Sequence, residues 1–540
     1  MRSERRKDEP MGKVWLVGAG PGDPGLLTLR GREVLERAEV VVFDRLVGAG
    51  LFAFFPEGAE RLDVGKEGGR HPVPQREIEA LLVDRALAGR RVVRLKGGDP
   101  FLFGRGGEEI EALLAHGVPF EVVPGVTSAF AAPACAGIPV THRGAASSVH
   151  VVTAHTRDGD LPDRDFEALA RLDGTLVFLM GVGAAGALCS RLVEAGMAPS
   201  TPAAAVERGT TAHQRLVAGT LASLPELARS AGVRPPAVLV VGEVVGLAER
   251  FGWRGALPLF GVRVLVTRPR GRAGRLSRML RDAGAEVAEF PCIATEPLTG
   301  PLPLLEGAGW VGFTSVTGVE AFFGLLASAG RDVRELGAAR VAAIGPATRD
   351  ALRRRGLRVD YMPEVYDGAH LAEGLADRMG TGDILLFRAE SGSPELTEVL
   401  RARGVPFREA ALYRTRYVKG APPPDFDMAL FTSASTVRGL AACVPDGWDR
   451  SRGQAVCIGE QTARAAAAKL IPLDWHGRGM RIRIAERKTV PGFVGEFSFG
   501  LGALPTEEQE IILLLSQFAP FCGTGRMTAQ GMGETHIFFS

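Results

Sequence analysis

Apolar and polar positions alternate along this chain in blocks that end on glycine, proline or a charged residue. The run Val14-Trp15-Leu16-Val17 reads as a buried strand and empties into Gly18-Ala19-Gly20-Pro21-Gly22-Asp23-Pro24. A helical stretch follows over about 26–37. Val40-Val41-Val42-Phe43 is a second strand, stopping at Asp44, and Arg91 to Leu95 is another, stopping at Lys96-Gly97-Gly98-Asp99-Pro100. Strands alternating with helices predict an α/β fold with a mainly parallel sheet. Ligands of such sheets gather at the carboxyl ends of strands, where these three motifs sit.

The pattern changes near 250–261, where Phe251-Gly252-Trp253 and Leu257-Pro258-Leu259-Phe260-Gly261 read as a linker. A fresh strand starts at Val262-Arg263-Val264-Leu265-Val266 and runs into Thr267-Arg268-Pro269. The part that follows echoes itself. Phe313-Thr314-Ser315 recurs as Phe431-Thr432-Ser433, and Ile344-Gly345-Pro346-Ala347-Thr348 as Ile458-Gly459-Glu460-Gln461-Thr462. That spacing is too long for a solenoid repeat, so two similar α/β lobes are expected. From about Trp475 the character changes again, and the chain ends on a glycine-rich stretch. The expected segments are a polar tail 1–11, a first domain 12–252, a linker 253–261, a second domain 262–474 and an atypical tail 475–540.

Composition narrows the class. In 540 residues, 46% are hydrophobic and 23% charged, which is an ordinary globular balance. A net charge of +2 gives no global basic field for nucleic acid. The polar stretch Met1 to Pro10 has no apolar core of the kind a signal peptide needs, and no apolar run is long enough to span a bilayer. Cys135, Cys189, Cys292, Cys443, Cys457 and Cys522 form no CxxC pair. Buried thiols in a reducing cytoplasm are the expectation, with no metal site.

Gly18-x-Gly20-x-Gly22 invites a dinucleotide reading, but Pro21 and Asp23-Pro24 interrupt the helix start that would hold a pyrophosphate. The wider set of motifs points elsewhere. Phe43-Asp44-Arg45-Leu46-Val47, Val64-Gly65-Lys66 and Val93 through Gly106 follow in order. Then come Pro124-Gly125-Val126-Thr127-Ser128-Ala129, Ala136 through Arg143, Met180-Gly181, Glu207-Arg208-Gly209-Thr210-Thr211 and Val241-Gly242-Glu243. Together they resemble the tetrapyrrole methylase family, most closely uroporphyrinogen-III C-methyltransferases, over about 12–252. One small departure is Ala154, where the family usually has glycine before the histidine, here His155.

The resemblance implies a two-lobed α/β homodimer that takes S-adenosyl-L-methionine as methyl donor into the cleft between the lobes. It places cofactor contacts on Pro21, Gly97, Gly98, Asp99, Leu102, Thr127, Ser128, Met180 and Gly209, and a proton acceptor and donor on Asp44 and Lys66. Lys66 is also readable as a point charge for substrate carboxylates. The octacarboxylate substrate needs donors, for which Arg45, Arg70, Arg105, His142 and Arg143 are candidates. Each is also readable as an ordinary solvated residue.

Residues 262–474 resemble uroporphyrinogen-III synthase. The motifs are Val264-Leu265-Val266-Thr267-Arg268-Pro269, Gly284-Ala285-Glu286-Val287, the two FTS turns, the IGPAT turn and Leu412-Tyr413-Arg414-Thr415. That family closes hydroxymethylbilane while inverting its last pyrrole, between two α/β lobes. The work is mainly to hold the chain in one geometry. The resemblance places a catalytic tyrosine at Tyr413 and carboxylate contacts at Thr314, Thr432 and Ser433, each also readable as a turn or cap residue.

The two resemblances fit one another, since the product of the second is the substrate of the first. The chain is expected to be a bifunctional tetrapyrrole enzyme, with a methyltransferase carrying an inactive synthase-like part as the alternative. The tail from Gly492-Phe493-Val494-Gly495 to Gly533 resembles the end of a RAMP-type CRISPR-RNA endoribonuclease. It is too short for such an enzyme, so a fusion junction is expected over an RNA-binding role.

Overall fold

The computed structural model of the chain describes residues 12–65, 73–154, 166–269, 274–301, 303–392, 394–418, 423–444, 454–457 and 466. They group into two compact units, one made of the described residues up to Leu265 with Ser277–Glu289 and Pro424–Phe426, the other of the described residues between Val266 and Leu276, between Phe290 and Pro423, and from Asp427 on.

In the first unit, β1 (Lys13–Gly18), β2 (Val40–Phe43), β3 (Glu60–Asp63), β4 (Arg91–Lys96) and β5 (Phe120–Val123) form a wholly parallel sheet in the order β3-β2-β4-β1-β5. Both faces are covered. Val14, Val40, Val42 and Val92 pack on the helix Gln75–Leu87 through Ile78 and Leu82, while Val17, Val41, Val93 and Leu95 pack with Leu35, Leu51 and Phe55. This double burial is why β2 is apolar at every position. Each such fully buried side chain contributes roughly 1.5–3 kcal/mol. The helix expected over 26–37 is split. Asp23 accepts Gly25 N–H at 2.8 Å and starts a single 3-10 turn, Pro24–Leu26; Thr28 then caps a shorter helix, Leu29–Leu35.

A second sheet joins β6 (Val149–Thr153), β7 (Thr175–Leu179), β8 (Pro202–Glu207), β9 (Arg215–Thr220) and β10 (Ala237–Val241) in the order β6-β7-β10-β8-β9. Only β6 and β7 run parallel; the other pairings are antiparallel. The sequence pattern does not show this. For β8 and β9 it follows from chain length, since Glu207 and Arg215 are too close for the crossover of a dozen or more residues that a parallel pair needs. The stretch expected as a linker is docked on this unit. Arg254 is buried and donates to Thr210 O at 3.1 Å, and Leu259 is buried. Beyond it, β11 (Arg263–Val266) and β12 (Glu286–Glu289) lie side by side.

The second unit holds β13 (Ile293–Pro297), β14 (Ala308–Phe313), β15 (Arg340–Ala343), β16 (Asp383–Ala389) and β17 (Phe407–Tyr417) in the order β13-β17-β16-β14-β15. All its pairs are parallel except β13 with β17. Phe313, Phe322 and Phe387 stack at 4.6 to 5.5 Å between ring centres on one face. Leu371, Leu375, Ile384 and Leu386 fill the other. Further on, β18 (Met428–Phe431) pairs in parallel with β19 (Gln454–Cys457).

The sequence echo is a structural one. Ser315 and Ser433 have the same backbone angles, φ −165° and ψ 157°, and each caps the helix after its strand by accepting the N–H three residues on. The copy at Ile458–Thr462 and the tail 475–540 lie outside the described residues. No helix among the described residues is long and apolar enough to cross a membrane.

Candidate functional site

At the carboxyl ends of β1, β4 and β5 three loops meet backbone to backbone. Ala19 N–H donates to Lys96 O at 2.7 Å, and Gly20 and Gly98 exchange hydrogen bonds of 3.2 and 2.8 Å. A Cβ on Gly18 would stand 2.4 Å from Gly125 Cα, and one on Gly125 would stand 2.2 Å from Gly98 O. Only glycine permits this approach. Gly98 itself, at φ +70°, has nothing within 4 Å of where a Cβ would be, so its α-carbon faces open space. Gly97 packs its backbone against Leu46.

Asp99 builds this floor. Its Oδ1 accepts from Phe101 N at 2.8 Å and Leu102 N at 3.2 Å, and its Oδ2 accepts Gly125 N at 3.0 Å, tying the β4 loop to the β5 loop. Thr127 caps the helix Ser128–Cys135 by accepting Ala129 N at 3.2 Å, which places Ser128 in the first turn. Pro21 lies between Gly20 and Gly22, in a loop that touches the other lobe of the unit through Asp23 N–H and Thr210 Oγ1 at 3.3 Å. Gly209 is small for a packing reason, because a Cβ there would meet Ala132 Cβ at 2.3 Å. Met180 follows β7 with φ +60° and is 52% exposed. Phe103, Arg105, Met180, Arg208 and Thr210 are the non-glycine residues with positive φ among the described residues, and all lie in loops after β4, β7 or β8. Such strain of about 1–3 kcal/mol each persists where surroundings enforce it, commonly at binding sites.

Asp44 ends β2 on the same edge of the sheet. Its Oδ1 accepts Leu46 N at 3.0 Å, and its Oδ2 lies 3.6 Å from Arg94 Nη2. Behind it is a buried charge cluster that sequence reasoning missed. Glu109 Oε1 accepts from Arg94 Nε at 3.1 Å and Lys96 Nζ at 2.8 Å. Burial pushes the Lys96 ammonium below its ordinary value, helped by repulsion from Arg94 and opposed by Glu109 and Asp44. A signal existed: Arg94 and Lys96 stand two residues apart on a strand whose other interior positions are apolar, so they share one buried face.

Lys66, Arg70, His71 and His155 lie outside the described residues. Arg45 is exposed beside Asp44. Arg105 is exposed and paired with Glu108 at 2.8 Å. His142 and Arg143 line a concavity of about 430 Å³ with Thr141, Gly144, Ala146 and Ser147.

In the second unit the register shifts between Arg388 and Ala389, so Leu412 is the extra residue opposite β16 and Ala389 pairs with Tyr413. Regular alternation would send these two neighbours to opposite faces. The bulge instead leaves both in the cluster around Phe313 and Phe387. Tyr413 is buried, with its hydroxyl 2.8 Å from Ser315 Oγ. Thr314 donates to Phe387 O at 3.3 Å, joining the ends of β14 and β16. Thr432 and Ser433 lie at the end of β18, in a different sheet from Tyr413, and Ser433 Oγ is 2.8 Å from Ser435 Oγ.

Residues 13–225 match the family described as Tetrapyrrole (Corrin/Porphyrin) Methylases, and residues 274–477 match Uroporphyrinogen-III synthase HemD. The Porphyrin biosynthesis protein HemD of Ruminiclostridium josui is 42% identical over 498 residues, covering 89% of this chain and 97% of that protein. This chain belongs to the family of tetrapyrrole methylases fused to uroporphyrinogen-III synthase. It is a bifunctional enzyme of tetrapyrrole biosynthesis. The Uroporphyrinogen-III C-methyltransferase of Bacillus subtilis (strain 168) is 42% identical over 352 residues, covering 64% of this chain and 72% of that one. The chain spans about half the length of the siroheme synthases it also matches. Among solved structures, the uroporphyrin-III C-methyl transferase of Thermus thermophilus complexed with S-adenyl homocysteine is 46% identical, covering 43% of this chain and 93% of that one, with a TM-score of 0.38.

Proposed function

We propose that the first part of the chain methylates uroporphyrinogen III twice to precorrin-2, with S-adenosyl-L-methionine as donor, and that the second cyclises hydroxymethylbilane to uroporphyrinogen III. Family membership supports both reactions, and the open backbone at Gly98 is the observation that carries the first. A ligand has room there against exposed main chain, on a floor held rigid by Asp99. The donor supplies an electrophilic methyl group. Gly97, Gly98, Leu102, Thr127, Ser128, Pro21, Met180 and Gly209 would hold it, Met180 through its polarisable thioether. Asp99 shapes the loop through the backbone N–H groups on both its oxygens, and Oδ2, which accepts one of them, keeps acceptor capacity for the donor.

Methylation at a pyrrole carbon leaves the macrocycle cationic until a proton departs. In this reading Asp44 is the acceptor, supported by its strand-end position with Oδ2 3.6 Å from Arg94 Nη2, and Lys66 is the donor. Arg45, Arg105, His142 and Arg143 would meet the substrate's carboxylates. In the second part, Tyr413 would assist departure of the bilane hydroxyl, with Thr314, Thr432 and Ser433 as polar contacts. We read the chain as a cytoplasmic homodimer through its first part, and 475–540 as a fusion junction without an RNA-processing role. Incubation with uroporphyrinogen III and methyl-labelled donor tests the first activity. Two labelled methyl groups per macrocycle are expected, and an unlabelled macrocycle contradicts it.

A further inference from the structure

The cluster behind Asp44 is costly as a mere structural element. Arg94 and Lys96 are 4% and 3% exposed, and Glu109 is fully buried. Each buried ion costs several kcal/mol unless well paired. Yet Glu109 presents one oxygen to both cations, and its Oε2 has no hydrogen-bond partner.

The geometry of Arg94 explains the arrangement. Its Nε is held by Glu109 at 3.1 Å and its Nη1 by Leu95 O at 3.0 Å. Only Nη2 is left to face Asp44, and it stops at 3.6 Å, beyond hydrogen-bond distance. We infer that Glu109 is a positioning residue for Asp44: it holds the Arg94 guanidinium close enough to stabilise the carboxylate and too far to occupy its Oδ2. That oxygen stays open to take a proton. This inference rests on the reading of Asp44 as proton acceptor.

Among the described residues, the charged groups around Asp44 are Arg94 and Lys96 from β4, Glu109 from the helix Gly106–Ala115, Arg45 on its own loop and Asp63, whose strand end pairs with Phe43. Without the Glu109 charge, Asp44 would face two buried cations no longer neutralised from behind, and Arg94 would be released to close on it. The acidic limb of the pH–rate profile therefore moves to lower pH as turnover falls.

The test is Glu109→Gln in the full chain, with methyl transfer from uroporphyrinogen III followed across pH and S-adenosylhomocysteine binding followed by calorimetry. The expected result is unchanged calorimetric affinity within about twofold, about tenfold lower kcat, and an acidic limb displaced downward by roughly half a pH unit or more. Glu109→Asp, which keeps the charge, restores the limb. If Glu109→Gln does not fold, the pair Lys96→Met with Glu109→Gln removes one charge of each sign and must still show the loss of kcat. Parent-like kcat and limb in these variants, with Asp44→Asn inactive, overturn the positioning role alone. An active Asp44→Asn overturns the acceptor reading and the inference with it.

Discussion

Ser315 Oγ and Tyr413 Oη stand 2.8 Å apart, although 98 residues separate them in the chain. Ser315 also caps the helix Val316–Ser328 by accepting Gly318 N at 3.0 Å, so its hydroxyl is fixed and fixes the tyrosine in turn. Tyr413→Phe removes the hydroxyl and leaves the ring in its apolar cluster. Enzymatic cyclisation of hydroxymethylbilane is expected to fall about tenfold or more. Stability should change by only about 1 kcal/mol. Separation of type-I and type-III isomers by chromatography reads the first effect and denaturant melts read the second. Parent-like type-III formation contradicts the assigned role.

The glycine floor makes a paired prediction. In Gly98→Ala the new methyl group enters open space, so the fold survives with a left-handed strain of about 1–2 kcal/mol. Donor binding should nonetheless weaken tenfold or more, read by calorimetry with S-adenosylhomocysteine. Gly125→Ala instead drives a methyl group to 2.2 Å from Gly98 O, so it should destabilise the unit itself. Equal donor affinity in Gly98→Ala and the parent contradicts a ligand at that backbone.

How much of this was legible in the sequence differs from element to element. The strand Val40–Phe43 was, because burial on both faces leaves no polar position. The strand-end loops were, because close backbone approach admits only glycine at Gly18 and Gly125. The pairing of Arg94 and Lys96 with Glu109 was not. It depends on β4 being the middle strand of its sheet, and strand order leaves no mark on local periodicity. Tyr413 was named from its motif, but its inward direction comes from a bulge that alternation alone would deny. The three backbone donors on Asp99 and the packing of Gly209 against Ala132 leave no mark on the motifs, because both depend on which loops meet in three dimensions.

Acid should expose a third interaction. Glu121 accepts from Lys13 Nζ at 2.8 Å, Trp15 Nε1 at 2.9 Å and Arg30 Nη2 at 2.8 Å. Those hydrogen bonds, that of Lys13 first, hold its carboxyl down at about 2, against 4.5 ordinarily. A depressed carboxylate stabilises the fold above its ordinary value, and the benefit drains away as pH falls from 4.5 towards about 2. Glu121→Gln should therefore cost about 1 kcal/mol or less at pH 6, after solvent screening. Denaturant midpoints of parent and variant should converge as the pH is lowered; a constant gap contradicts the ion-pair account.

The aromatic stack of the second unit should dominate its stability. Phe387 is fully buried between Phe313 and Phe322, at 5.0 and 4.6 Å. Phe387→Ala should cost about 3–5 kcal/mol. Fluorescence of buried Trp310, on the neighbouring strand β14, reports it in a denaturant melt. A loss below about 1 kcal/mol would mean the site collapses freely, against the packing described.

Two consecutive tetrapyrrole reactions are assigned to one chain. The direct measurement is incubation of the full chain with hydroxymethylbilane and S-adenosyl-L-methionine, followed by mass analysis of the macrocycles and assignment of their isomer type. Precorrin-2, a type-III macrocycle bearing two added methyl groups, is the expected product. An unmethylated type-III product would contradict the first activity, and a type-I product alone would contradict the second.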